Sequence, residues 1–354
     1  MYSEQDLTNA VAAGVLSADA ADALRRHVAR QQSTHGADEE HVRLLTGFND
    51  IFVTIAAAIL LGALAWIGQS IWLPLAGALV AVAAWGLAEY FTRVRRMALP
   101  SIGLLLAFVG GVAASPIGLM VQYSESWFGP NPNERVQAVI MAGIAITTAA
   151  AAYAHWRRFM VPITLAAGAA ALVATVIALI AAAVGPENLG QNAILSLVLV
   201  GGLAVFALAM HWDRSDTTRE TRRSDVAFWL HLIAAPMIAH PLFTLLGING
   251  DATIGVGAAI GVLALYTGFA FIALAIDRRA MLVSALAYVL YAMTELFRTF
   301  GAVELQFALT ALVIGSALLL LSAFWQPARR MVLSFTPEGL RTMVPDAHLV
   351  AHSG

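Results

Sequence analysis

The apolar run WLHLIAAPMIAHPLF, Trp229 to Phe243, carries His231, Pro236, His240 and Pro241. A neutral imidazole offers one donor and one acceptor and titrates near neutrality. Inside a bilayer each ring therefore suits either proton relay and solute binding or a plain hydrogen bond to a neighbouring helix. Nine residues at ~100° each set the two rings about 180° apart, so they cannot chelate one metal ion together. Pro236 and Pro241 each remove a backbone donor, and the run reads as a helix-break whose freed carbonyls line a cavity or pack inside protein. Pro116, in LAFVGGVAASPIGLM, is a third such point, and Gly110, Gly111 and Ser115 before it allow close helix approach.

A second constellation is Glu295 and Arg298 in YAMTELFRTFG, three residues apart and so on one helix face. They form either a self-satisfied ion pair or a gate with an anion-binding arginine, and Tyr288 and Tyr291 extend the polar face. Asp50 opens the first apolar run, as a vestibule residue or a simple entry marker. Glu89, His155 and His211 fall near the ends of their runs, where long side chains reach the interface. No enzyme signature is present: a chain without lysine has no Walker loop, and H-E-x-x-H and G-x-S-x-G are absent. The lack of cysteine excludes disulfides, thiolate chemistry and cysteine metal sites. The expectation is a protein that is not an enzyme, with no catalytic residue, metal, cofactor or nucleic-acid partner. The connector DRSDTTRETRRSD, which mixes four acids with four arginines, reads as a solvated loop.

The elements that must position these residues follow from composition. Sixty per cent of the chain is hydrophobic and 12% charged, against roughly a quarter charged in soluble domains, so the protein is lipid-embedded. All 20 basic residues are arginine, and this together with abundant alanine points to a GC-rich bacterial genome. Apolar runs of the ~20 residues needed to cross ~30 Å of hydrocarbon recur at 49–68, 71–91, 99–122, 135–155, 159–184, 191–211, 226–246, 253–276, 280–299 and 304–325. With the N-terminus inside, this count puts every arginine except Arg135 and Arg298 on the cytoplasmic side, as the positive-inside rule requires. The boundaries YFTRVRRMALP, AHWRRFMVP, AIDRRAMLVS and FWQPARRMVLS each end one run with arginines and start the next.

Before the first span, SEQDLTNAVAAGVLS reads as a helix stopped at Gly14, with Ser17 capping a second helix and Asp38 a third. The hairpin DLTNAVAAGVLSADAADALRRHV, then a polar linker and a train of alanine- and leucine-rich spans, resembles the bacterial family of predicted membrane proteins that carry an N-terminal domain of unknown function. That resemblance implies a membrane location and no activity. The expected organisation is a cytoplasmic helical hairpin and linker over 1–46, an all-α bundle of about ten spans over 47–326 and a cytoplasmic tail over 327–354, in the bacterial inner membrane. The leading function is passage of a small solute or proton by way of His231, His240, Glu295, Arg298 and Asp50. The alternative is a non-catalytic scaffold or regulator whose residues 1–46 bind a cytoplasmic partner.

Overall fold

Ten helices of the computed structural model are long and apolar enough to cross a bilayer. The structure describes residues 11–24, 48–130, 133–217, 219, 221–247, 256–300, 304–337 and 344. The spans are α1 (Phe48–Ile71), α2 (Leu73–Ala88, continued by a π-helical turn Glu89–Val94), α3 (Ala98–Phe128), α4 (Glu134–Phe159) and α5 (Ile163–Val184). Then come α6 (Gln191–Arg214), α7 (Arg222–Leu245), α8 (Val256–Ile276), α9 (Ala280–Thr299) and α10 (Gln306–Ala323), followed by a short α11 (Trp325–Ser334). Among the described residues there is no strand, and the chain is an all-α integral membrane bundle that contacts lipid.

The chain divides into two compact units, Met1–His41 with Asp346–Gly354, and Val42–Pro345. In the first, Gly14 takes a left-handed φ of 71°, open to glycine without steric cost, and helix resumes over residues 18–24. Ser17 caps that helix, its Oγ accepting the Ala20 N–H at 3.2 Å. Residues 1–10, the helix expected from Asp38, Arg25, Arg26, Arg30 and Arg43, and most of the tail past 337 lie outside the described residues.

Side-chain chemistry sets the span ends. Asn133 caps α4, accepting the Arg135 N–H at 2.9 Å. The residue after α4, Met160, turns left-handed at φ 56° just ahead of Pro162. The third span outruns its expected end because YSESWF stays helical: Tyr123 stacks on Trp127 at 5.4 Å, and the Trp72 indole N–H donates to the Tyr123 hydroxyl at 3.0 Å. The helix-breaks expected at Pro116, Pro236 and Pro241 are corrected, since α3 and α7 run through all three without interruption. Each proline costs its own backbone bond, but packed neighbouring helices hold the segment in register. The stretch expected as a tail from 327 begins inside α11, where Trp325, Arg329, Val332 and Leu333 recur at helical spacing as the buried face.

Contacts between turns show which ends lie together. Arg158 in the last turn of α4 meets Glu89 after α2, Arg219 between α6 and α7 meets Asp277 after α8, and Trp325 after α10 meets the same Asp277. At the other end Arg135 in the first turn of α4 meets Glu187 after α5 at 3.3 Å. The arginines of the α2–α3, α4–α5, α6–α7, α8–α9 and α10–α11 junctions thus share one end of the bundle. Of the spans, α7 is the most buried, packed on α5, α6 and α9.

The α2–α3 pair touches backbone to backbone. A Cβ on Gly111 would lie 2.6 Å from the Gly77 carbonyl oxygen, whereas one on Gly110 would meet nothing within 4 Å. Gly111→Ala is expected to lower stability by about 1–3 kcal/mol through overpacking, and Gly110→Ala to leave it unchanged. Thermal unfolding of the two variants in detergent checks this, and equal midpoints would contradict the packing.

Candidate functional site

Buried polar chemistry gathers at the arginine-rich end. The last turn of α6 supplies Asp213, the first three turns of α7 supply Ser224 and His231, and the α8–α9 turn supplies Arg278. Helix α8 ends with Asp277 in the left-handed region (φ 57°), the Asp277 N–H donating to the Leu274 carbonyl at 3.3 Å and the Arg278 N–H to the Ala273 carbonyl at 2.9 Å. This is the paired bonding of a Schellman stop, with aspartate in the place usually held by glycine. Arg278 leaves that turn pointing into the α6–α7 hairpin. It donates to Asp213 Oδ1 at 2.5 Å, to the Ser224 carbonyl at 3.2 Å and to Ser224 Oγ at 3.1 Å. His231 Nε2 lies 2.8 Å from Asp213 Oδ2. Asp213 and Arg278 are each 2% exposed and His231 0%.

An ionised carboxylate only accepts, so the hydrogen of the His231–Asp213 bond sits on Nε2. His231 Nδ1 is then left buried with no partner among the described residues, and Phe206 meets the ring edge-on at 5.1 Å. A second carboxylate interlocks with the first. Asp277 accepts from Arg219 at 2.9 Å and from the Trp325 indole at 2.7 Å, with Arg329 at 3.8 Å. Arg219 also donates to the carbonyls of Ile276 and Asp277 at 3.1 and 3.0 Å, and Arg279 lies 4.9 Å over the Trp325 ring. A third, Asp216, accepts the Thr221 hydroxyl at 2.6 Å and the Thr221 and Ser224 N–H groups at 3.0 and 3.3 Å, which fixes the start of α7. The two ion clusters fasten α6, α7, the α8–α9 turn and α11 to one another.

The residues expected to form a pathway do not converge. His240 is exposed, bonded through Nδ1 to the Tyr288 hydroxyl at 2.5 Å, while Phe243 stacks on Tyr288 at 4.3 Å. Glu295 pairs with Arg298 on its own helix at 3.5 Å. Asp50 is buried in the first turn of α1, where its carbonyl accepts the Thr54 hydroxyl at 2.7 Å. Pro236 is exposed and Pro241 buried. Among the described residues no hydrogen bond joins the two histidines to each other or to the Glu295–Arg298 pair, and no three His, Asp or Glu side chains form a metal cluster. Ala234, Ala235, Ile238 and Phe243 of α7 and Ala285, Val289 and Ala292 of α9 belong to one buried apolar cluster, and the His240–Tyr288 bond crosses between the same two helices.

Two interface expectations are revised as well. The connector DRSDTTRETRRSD is solvated only in part: among its described residues Arg214, Ser215, Thr217, Thr221, Arg222 and Arg223 are exposed, whereas Asp213 and Asp216 are buried and satisfied by the bonds above. His155 does not reach the interface; it is enclosed by Trp85, Phe108 and Phe159, the last at 4.5 Å, with the Thr164 hydroxyl 3.4 Å from Nδ1. Glu89 stays partly exposed but is held by Arg158 through two bonds of 2.7 and 2.9 Å. Sequence reasoning missed Asp213 and Arg278 because they stand 65 residues apart and each looks like an ordinary span-end charge. Compared with known proteins, the chain matches no family model, no curated protein and no solved structure.

Proposed function

We propose that the chain is a bacterial inner-membrane protein of the family its N-terminal hairpin resembles, with the arginine-rich end and both termini in the cytoplasm. It acts as a non-catalytic scaffold or regulator whose residues 1–46 engage a cytoplasmic partner. Collection of the junction arginines at one end supports the orientation. The observation that carries the functional reading is the pair of interlocked clamps on Asp213 and Asp277. They fasten α6, α7, the α8–α9 turn and α11 together at the arginine-rich end, while apolar side chains of α7 and α9 pack in one buried cluster. A hydrated path for a solute would have to open that cluster.

One observation favours the second reading, passage of a proton or small solute: His231 Nδ1 is a buried ring nitrogen without a partner among the described residues, beside a carboxylate that could exchange a proton with the ring. Purified full-length protein in liposomes with an imposed pH gradient and a trapped pH-sensitive dye separates the two. The scaffold reading expects dissipation at the rate of protein-free vesicles for the wild type and His231→Ala alike. Faster dissipation that His231→Ala abolishes would overturn it in favour of proton passage.

A further inference from the structure

A groove of about 750 Å³ runs along the exposed side of α6 and α8 and is bordered by Phe335, Thr336 and Pro337 after α11. That volume is within the roughly 300–1,000 Å³ of small-ligand sites. Its walls are apolar, formed by Phe206, Met210, Phe271, Ile272 and Phe335, and its mouth carries His211 and Arg214. We propose that this groove is a binding site for an anionic phospholipid of the leaflet at the arginine-rich end, an acyl chain lying between α6 and α8 and the phosphate held by Arg214 and His211.

The order of side chains along α6 matches the order of groups in such a lipid. Ala207, His211 and Arg214 fall on one helix face, and the ~10 Å from the first to the last passes from hydrocarbon-like wall to cation as the span reaches its end. Charge complementarity selects the headgroup. Asp213, the residue next to Arg214, points inward, and both of its oxygens are committed to His231 and Arg278. Arg214 is exposed and has no acidic partner among the described residues, so the groove presents a net positive mouth. Basic pockets between spans are where anionic headgroups are recognised. Phe206 lines the groove and also meets the His231 ring edge-on, and the lipid reading holds whether the protein is a scaffold or a conduit.

Thermal unfolding of the full-length protein in detergent, titrated with lipid, tests the proposal. Dioleoyl phosphatidylglycerol is expected to raise the unfolding midpoint saturably. Dioleoyl phosphatidylcholine, with the same chains and no net charge, is expected to raise it much less, and inorganic phosphate alone not at all. Arg214→Gln combined with His211→Ala should weaken the phosphatidylglycerol response at least roughly five-fold while leaving the lipid-free midpoint unchanged, because both side chains are exposed. Ala275→Phe, which fills the wall of the groove, should reduce the response to both lipids. Equal responses to the two lipids, a response to phosphate alone, or an undiminished phosphatidylglycerol response in the double variant would each overturn the proposal.

Discussion

Arg278→Met is expected to lower the stability of the bundle by about 3–5 kcal/mol, because it leaves the Asp213 carboxylate buried beside His231 without its cation. Desolvating an ion costs several kcal/mol, and here the partner charge, the His231 bond to Asp213 and the Ser224 bonds to Arg278 offset that cost. The same reasoning makes the double substitution Asp213→Leu with Arg278→Met milder than the single one, since it removes both ions and substitutes apolar contact for them. His231→Ala falls between: it deletes a hydrogen bond to a charged group, a loss of about 1.5–3 kcal/mol, but strands no full charge. A double-mutant cycle read by thermal or denaturant unfolding in micelles measures the coupling. A double variant as unstable as Arg278→Met alone would mean that the site fails through lost shape rather than through an orphaned charge.

Substitutions at Asp277 should separate backbone from side chain. Asp277→Ala loses the acceptor for Arg219 and Trp325 and also forces a Cβ residue without a local polar side chain into φ 57°. Left-handed conformation costs about 1–2 kcal/mol for such a residue, and stranding a largely buried arginine adds a penalty of the kind expected at Arg278. Asp277→Gly relieves the first cost and keeps the second. Asp277→Asn tolerates the left-handed turn and still accepts from the Trp325 indole, losing only the charge opposite Arg219. The expected stability order is therefore Asp, Asn, Gly, then Ala, with Ala about 3 kcal/mol or more below the wild type. Trp325 fluorescence reports whether α11 stays docked in each variant. Ala and Gly variants of equal stability would show that the left-handed turn carries no cost, and an Asn variant as weak as Ala would assign the whole effect to charge.

Much of the bundle was legible in the chain because lipid imposes a length and a polarity that a single sequence must satisfy by itself. Ten runs of about 20 apolar residues can only be spans, and the arginines at their junctions mark one end. The pairing of Glu295 with Arg298 was legible for the same local reason, since a spacing of three on one helix leaves little freedom. So was the cap at Ser17, whose partner is three residues away.

What the sequence determined by itself, then, is each helix, its membrane-crossing length and the end at which its arginines lie, because those depend on contacts with lipid, water and near neighbours in the chain. Tertiary structure alone decided that Arg278 and Arg329 are buried rather than reaching for the interface, that His231 belongs to Asp213 and not to His240, and that Pro236 faces outward from an unbroken α7. Each of these turns on the register between helices that share no local sequence. A charge at a span end is the same letter whether it meets water or a carboxylate 65 residues away, and only the packed bundle tells the two apart.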